Sequence, residues 1–224
     1  MHDTLALFHT AESNRELFGA LAAELAPDVP VTHIVDEGAL REVCARGAVT
    51  PALRRRVCDT LLGALDAGAR AVVCTCSSLG AITAVAAQLA ERPVLRIDRP
   101  LAEAAVAHGA HIVVAATLPT TLAPTRELIR EVAAAANKAI TLTDVLCADA
   151  WERFQAGDRE GYLDAIADEL RRSATHGDVL VLAQASMARA IERCPEVRLP
   201  VLTSPRSGLA AAIAAYRRTP PVAR

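Results

Sequence analysis

The sequence has few aromatic residues and almost no excess of charge of either sign. Aromatic residues make up 3% of its 224 residues, the formal net charge is -2, and the isoelectric point is near 6.3. A surface that binds nucleic acid needs a basic footprint and, for single strands, aromatic side chains on which bases stack. These absences argue against nucleic acid as a partner and favour small molecules.

The sequence also lacks the patterns of membrane and export segments. No run reaches the roughly 18 apolar residues of a membrane helix, and residues 1–10 do not show the basic and then apolar pattern of a signal peptide. The six cysteines, at 44, 58, 74, 76, 147 and 194, are scattered through a chain whose 52% hydrophobic content can form a core without disulfides. We therefore expect a cytoplasmic protein without a membrane partner.

Short β-branched runs alternate with longer Ala- and Leu-rich stretches, which predicts an α/β fold with parallel sheets flanked by helices. Eight strands are predicted, in two sets of four: Leu5–His9, Val31–Val35, Ala71–Thr75 and Val94–Ile97, then Ile112–Ala116, Ile140–Thr143, Val179–Ala183 and Val201–Thr203. The sets are related by a nearly constant offset, 107 between Thr10 and Thr117 and 108 between Asp36 and Asp144. This internal repeat predicts two pseudo-symmetric lobes.

The first lobe is predicted over residues 1–98 and 206–224, and the second over 99–205. A last helix, Gly208 to Arg218, has no counterpart in the repeat and is expected to pack on the first lobe. Duplicated units commonly face each other across a cleft, and ligands of parallel sheets bind beyond the carboxyl ends of the strands. We therefore expect the active site in the cleft between the lobes, whereas Asp36 and Asp144 are expected to cap helices.

Cys76 is the strongest candidate for a chemical group. It follows the third predicted strand, and a helical pattern begins near Leu79, which Ser77 or Ser78 could cap. A thiol beside a helix N-terminus is expected to have a lowered pKa and to be reactive. Cys74 is predicted to be a core residue, and no histidine lies near enough in sequence to complete a metal site with the pair.

The chain resembles the Asp/Glu racemase superfamily, which includes amino-acid and hydantoin racemases, maleate isomerase and arylmalonate decarboxylase. The resemblance lies in V-V-C-T-C-S-S-L-G at 72–80, A-T-L-P-T-T at 116–121 and V-L-V-L-A-Q-A-S-M at 179–187, together with the repeat. It implies a cofactor-independent isomerase with a small carboxylate substrate, in which Cys76 corresponds to the first of two catalytic cysteines. The residues that the resemblance and the strand ends assign to carboxylate binding are Thr10, Ser77, Ser78, Thr117, Thr120, Thr121 and Ser186.

The chain departs from the family pattern at the second cysteine. Gln184 stands at that position, 108 residues after Cys76, so inversion by two thiols is not expected. His9 is a candidate for the missing second proton-transfer group, with a hydrogen-bonded bystander as the alternative. A single cysteine also suits decarboxylation followed by protonation, or thiolate addition in a cis–trans isomerase. A non-catalytic small-molecule binding protein, and a homo-oligomer, remain further hypotheses.

Overall fold

The chain folds into alternating strands and helices throughout residues 3–173 and 176–221, the part that the structure, a computed structural model, describes. Its first half contains β1 (Thr4–His9), α1 (Glu12–Leu25), β2 (Val31–Val35), α2 (Glu37–Arg46), α3 (Pro51–Asp66), β3 (Ala69–Cys74), a 3₁₀ turn (Ser77–Leu79), α4 (Gly80–Leu89) and β4 (Val94–Arg96). The second half contains α5 (Arg99–His108), β5 (His111–Ala116), α6 (Pro119–Ala135), β6 (Thr141–Leu146), α7 (Ala148–Gln155), α8 (Arg159–Ser173), β7 (Val179–Leu182), a 3₁₀ segment (Ala185–Arg193), β8 (Val201–Thr203) and α9 (Ser204–Arg218).

The strands form two four-stranded parallel sheets with the same topology. The strand order is β2-β1-β3-β4 in one sheet and β6-β5-β7-β8 in the other. The predicted α/β class and the pairing of the eight strands into two sets are confirmed. In both sheets the first and third strands of the set are the central neighbours, so their carboxyl ends lie side by side.

The repeat is less regular than the sequence predicts at β6. His9 pairs with Val35 in the first sheet, and the matching Ala116 pairs with Leu146 in the second, so this strand is offset by 111 positions. The helix before it, α6, has 17 residues against 14 in α1. Asp144 therefore lies within β6, where it accepts a hydrogen bond from Arg126, and it does not cap a helix.

Asp36, by contrast, caps α2 as predicted, because its carboxylate accepts a hydrogen bond from the backbone N–H of Ala39 at 3.0 Å. The match between Asp36 and Asp144 in the sequence is thus a coincidence of spacing. The offset is 111 at β6 but returns to 108 between Cys74 and Leu182 in the next strands, so the extra residues before β6 are compensated before β7, and the sequence offset alone does not reveal this.

The chain divides into two compact units, Met1–Arg99 with Pro205–Arg224, and Pro100–Ser204. In the first unit, one face of the sheet packs Phe8 and Cys74 against α3 and α4. In the second unit, Val113 and Leu182 pack in a core that also contains residues of α7 and α8.

Helix α9 belongs to the first unit, as its lack of a counterpart in the repeat predicts. The Tyr216 hydroxyl donates to the carbonyl of Asp3, and the guanidinium of Arg70 lies 4.6 Å from the centre of the Tyr216 ring. At Gly208 an added Cβ would lie 2.1 Å from the carbonyl oxygen of Ile97. Glycine therefore permits the close approach that seats this helix beside the end of β4.

Candidate active site

Cys76 lies just beyond the carboxyl end of β3, as predicted. Its residue is 8% exposed, and it belongs to the buried cluster that also contains Phe8 and Leu79. The Thr10 and Ser78 hydroxyls and the backbone N–H of Ser78 lie beside the sulfur and favour its ionised form, as does the N–H of Leu79, which also donates to the Cys76 carbonyl oxygen at 3.1 Å. The thiol therefore lies among donors that can stabilise a thiolate.

Burial nevertheless outweighs these donors, so the expectation of a lowered pKa is wrong. Desolvation raises the pKa of Cys76 above that of an ordinary cysteine, and hydrogen bonds from Thr10, Ser78 and Leu79 offset only part of the effect. The resting group is consequently a protonated thiol at neutral pH. Its donors favour thiolate formation when the proton leaves.

Cys74 is more deeply buried, and Thr83 is the side chain that favours its ionised form. It is 1% exposed, its thiol donates to the Cys76 carbonyl oxygen at 3.7 Å, and burial raises its pKa to about 12. The structure thus agrees with the interpretation of Cys74 as a core residue.

The turn after Cys76 begins differently from the prediction. Cys76 and Leu79 occupy the N-cap positions of the 3₁₀ turn and of α4, and neither side chain makes a capping hydrogen bond. Ser77 and Ser78 lie within the turn and are 7% and 6% exposed. The prediction that one of these serines is the N-cap residue is therefore wrong.

A buried ion pair supports the start of α4. Arg96 donates two hydrogen bonds of 2.9 Å to Asp98, which is 1% exposed. A Cβ added at Gly80 would lie 2.2 Å from the Arg96 guanidinium carbon, so the cation lies directly against the helix backbone. Sequence reasoning missed Arg96, because the ion pair and its contact with α4 depend on how β4 and α4 pack together.

His9 is a buried, fully hydrogen-bonded residue. Thr75 donates its hydroxyl proton to the Phe8 carbonyl oxygen, so it accepts from Nδ1 of His9 at 2.9 Å. The other ring nitrogen, Nε2, then accepts from Nδ1 of His33 at 2.9 Å. Desolvation, followed by the charges of His33 and Arg15, lowers the pKa of His9 to about 4.

His9 also lies on the opposite side of the sheet from Cys74. Phe8 pairs with Cys74 in the register of β1 and β3, and successive side chains alternate between faces, so His9 points the other way and stacks near Phe18 of α1. These contacts favour the bystander interpretation of His9. We leave it out of the proposed chemistry.

Gln184 follows β7 and makes two hydrogen bonds with Thr117, which follows the neighbouring strand β5. Its Oε1 accepts from the Thr117 backbone N–H at 2.7 Å and from the Thr117 hydroxyl at 3.0 Å. Thr117 is 1% exposed, whereas Gln184 is partly exposed.

The two units thus carry the same local arrangement. In each, the threonine after the first strand of the set contacts the residue after the third strand, Thr10 with Cys76 and Thr117 with Gln184. The offset of 108 between Cys76 and Gln184 agrees with the pairing of the strands that carry them, since Phe8 pairs with Cys74 and Ala115 with Leu182.

Tyr162 of α8 extends the hydroxyl cluster of the second unit. Its hydroxyl lies 2.7 Å from Oγ of Ser186, and burial raises its pKa to about 12, although the side chains of Ser186 and Thr117 act in the opposite direction. Tyr162 was not among the residues predicted from the sequence. A buried tyrosine needs a hydrogen-bond partner, but nothing in the sequence of α8 identifies that partner.

The remaining predicted binding residues lie in the first turn of α6. Thr121 is 3% exposed, and its carbonyl oxygen accepts from the Thr125 hydroxyl. The Oγ1 atom of Thr120 is buried and has no hydrogen-bond partner within the described part of the chain. An unsatisfied buried hydroxyl is unusual, and a ligand is one of the partners that such a group can take.

Residues 3–173 and 176–221 contain no group of three or more His, Cys, Asp and Glu side chains placed to hold a metal ion. In the same residues, no helix combines the length and the apolar character needed to cross a membrane.

The fold has counterparts among racemases and a decarboxylase of known structure. No sequence-family model matches the chain, and no curated protein matches it by sequence. Aspartate racemase from Picrophilus torridus superposes with a TM-score of 0.73 at 14% identity, over 97% of this chain and 96% of that one. Glutamate racemase isoform RacE1 from Bacillus anthracis superposes with a TM-score of 0.72 at 15% identity, over 97% of this chain and 83% of that one. An arylmalonate decarboxylase superposes with a TM-score of 0.59 at 16% identity, over 95% of this chain and 92% of that one. These likenesses show a shared fold.

Proposed function

We propose that this protein is a cofactor-independent enzyme of the Asp/Glu racemase superfamily, in which Cys76 transfers a proton at the α-carbon of a small carboxylate. The observation that carries the proposal is the surroundings of Cys76. Its thiol stands at a strand end with donors from Thr10, Ser78 and Leu79 at the sulfur. A cysteine that served only as packing would gain nothing from donors that favour its anion.

The proposed reaction needs hydrogen-bond donors for the substrate as well as the thiol of Cys76. Removing a proton from the α-carbon leaves its electron pair in an enediolate, so the reaction requires hydrogen-bond donors for the carboxylate and for the charge that develops on its oxygens. The candidate donors are the hydroxyls predicted from the sequence: Thr10, Ser77, Ser78, Thr117, Thr120, Thr121 and Ser186. Ser78 and Thr120 lead this set, Ser78 because it also acts on Cys76 and Thr120 because its buried hydroxyl has no partner within the described residues.

A lyase is the second candidate, and two observations favour it. Gln184 cannot exchange a proton near neutral pH, so Cys76 is the one thiol at the two positions that the repeat relates, 76 and 184. Burial also keeps that thiol protonated at rest, which suits a proton donor. In this scheme a carboxylate leaves as carbon dioxide, its bonding electron pair stays on the α-carbon, and Cys76 donates the proton that completes the product. The thiolate then regains a proton from water.

Isotope incorporation tests the proposal. The wild type, Cys76→Ala and the matched control Cys74→Ala would be incubated in deuterated water with both enantiomers of aspartate and glutamate, with maleate, and with phenylmalonate. Nuclear magnetic resonance would follow α-deuteration, inversion, isomerisation and loss of carbon dioxide. We expect Cys76→Ala to abolish whichever reaction the wild type performs and Cys74→Ala to retain it.

The outcomes separate the candidates. Loss of carbon dioxide with deuterium on one face identifies a lyase, whereas exchange or inversion of an amino acid identifies a racemase. Retained turnover in Cys76→Ala would refute the role of this thiol. Saturable binding of these acids without any reaction in the wild type would instead identify a non-catalytic binding protein.

A further inference from the structure

The side-chain amide of Gln184 has only one orientation compatible with its neighbours. A backbone N–H can only donate, so the Gln184 atom that lies 2.7 Å from the Thr117 nitrogen is the carbonyl oxygen Oε1. The Thr117 hydroxyl lies 3.0 Å from the same oxygen. Both lone pairs of Oε1 are therefore used by Thr117, and a flipped amide would place two donors against each other.

The opposite end of the amide is free to bind. Its Nε2 atom carries two N–H donors and has no hydrogen-bond partner among residues 3–173 and 176–221, where the side chain of Gln184 is hydrogen-bonded to Thr117 through Oε1. Gln184 is partly exposed, so these donors are accessible. The side chain thus presents donors and no acceptor.

The contact between Thr117 and Gln184 lies among buried side chains. Thr117 is 1% exposed, and its hydroxyl gives its proton to Gln184. The neighbouring Tyr162 is 3% exposed, and its hydroxyl is paired with Ser186 at 2.7 Å. The acceptor end of the Gln184 amide is therefore bound by a buried residue.

We propose that Gln184 is a specificity-determining residue whose Nε2 contacts an oxygen atom of the substrate and excludes an ammonium group from that position. A carboxylate or enediolate oxygen accepts two donors, whereas an ammonium group has donors alone and would meet the amide donors unpaired. The inference rests on the proposed function, since it names the chemistry of the substrate group at Gln184.

Side-chain amide resonances test the contact directly. The chain contains three glutamines and two asparagines, so five side-chain NH₂ groups are to be resolved in a nitrogen-15 spectrum. Malonate would be titrated into the wild type and into Cys76→Ala, and Gln184→Met would assign the Gln184 signals. We expect the chemical shifts of the Gln184 signals to change and to reach a plateau as malonate is added. The signals of Gln88 and Gln155, both exposed on helices, should keep their chemical shifts.

Affinities test the polarity. Gln184→Met keeps the length of the side chain but removes the donors, and we expect the malonate dissociation constant to rise about tenfold or more. Gln184→Glu retains an acceptor for Thr117 and places a negative oxygen where the donors were. We expect it to prefer β-alanine, which carries an ammonium group, over malonate, the reverse of the wild type. Gln155→Met is the matched control, and melting temperatures check folding.

Three results would overturn the inference: Gln184 signals that do not move at saturating malonate, an unchanged dissociation constant in folded Gln184→Met, or no saturable malonate binding to the wild type. The Cys76→Ala background separates this inference from the proposed function. If the Gln184 signals shift but Cys76→Ala is fully active, the proton-transfer role of Cys76 is refuted and the Gln184 contact stands. If the signals do not shift but Cys76→Ala is inactive, the Gln184 contact is refuted and the role of Cys76 stands.

Discussion

Replacement of Thr10 by valine tests whether the donors around Cys76 stabilise its thiolate. Thr10 is 4% exposed, and its hydroxyl is the first of the donors that lower the pKa of Cys76 against the larger effect of burial. Valine has nearly the same shape but cannot donate. Thr10→Val should therefore leave the fold intact and raise the pKa of Cys76 further.

The size of the effect follows from the charge on the acceptor. A hydrogen bond to a charged group contributes about 1.5–3 kcal/mol, so its loss lowers the ionisation constant by about ten- to a hundredfold. Alkylation proceeds through the thiolate, and the buried Cys76 is mainly protonated at pH 7. We therefore expect its alkylation rate to fall by about the same factor.

The assay is a timed reaction with iodoacetamide, quantified for each cysteine by peptide mass spectrometry. Cys44, partly exposed on α2, serves as an internal reference for reagent and time. Thr125→Val is the matched variant, because Thr125 is 1% exposed and its hydroxyl donates to the Thr121 carbonyl within α6, in the other unit. This control should not change the labelling rate of Cys76.

An unchanged labelling rate of Cys76 in Thr10→Val, with Cys44 also unchanged, would refute the reasoning. It would mean that the Thr10 hydroxyl does not stabilise the thiolate. Faster labelling of Cys74 than of Cys76 in the wild type would show that the wrong thiol was chosen.

Three further predictions concern stability and cofactors. His9 has a pKa of about 4 in the fold against 6.5 in the unfolded chain, so its contribution to the free energy of unfolding is highest above pH 6.5 and falls by about 3 kcal/mol as the pH drops to 4. Urea unfolding of His9→Phe should show a smaller change in the free energy of unfolding over this pH range. An identical change would contradict the lowered pKa of His9. Gly80→Ala should lower the free energy of unfolding by about 1–3 kcal/mol, because the added Cβ would meet the Arg96 guanidinium. Gly63→Ala, whose added Cβ meets nothing within 4 Å, should raise it by up to about 1 kcal/mol. Equal melting temperatures of the two variants would argue against the contact between Gly80 and Arg96. Turnover should survive extensive treatment with EDTA, and activity restored only by an added divalent ion would show that a metal site was missed.

Much of the fold could be predicted because its signals are local. The strands Val31–Val35 and Val201–Thr203 have the bounds that the sequence predicts, and the other strands differ at their ends. Burial on both faces of a parallel sheet leaves short β-branched runs that are easy to recognise. Strand ends are harder, because pairing with a neighbour can continue through polar residues such as those of β6, which extends to Leu146.

The repeat predicted the position of Gln184 but not that of Asp144. Cys76 and Gln184 both follow strands that pair in equivalent registers with the first strand of their sheet, so the offset between them is meaningful. Asp144 follows the longer helix α6, so the offset near 107 no longer applies there. A constant spacing holds only between insertions.

The sequence by itself determined the α/β class, the two repeated units and the placing of Cys76 and Gln184 at strand ends, because these depend on periodicity and on order along the chain. The tertiary structure alone decided the protonation states and the partners. It places His9 on the sheet face opposite Cys74, pairs Thr117 with Gln184, brings Tyr162 to Ser186, and buries Cys76 deeply enough to raise its pKa in spite of its donors. Desolvation and hydrogen bonding depend on which atoms packing brings within a few ångströms, and residues far apart in the sequence supply most of those atoms.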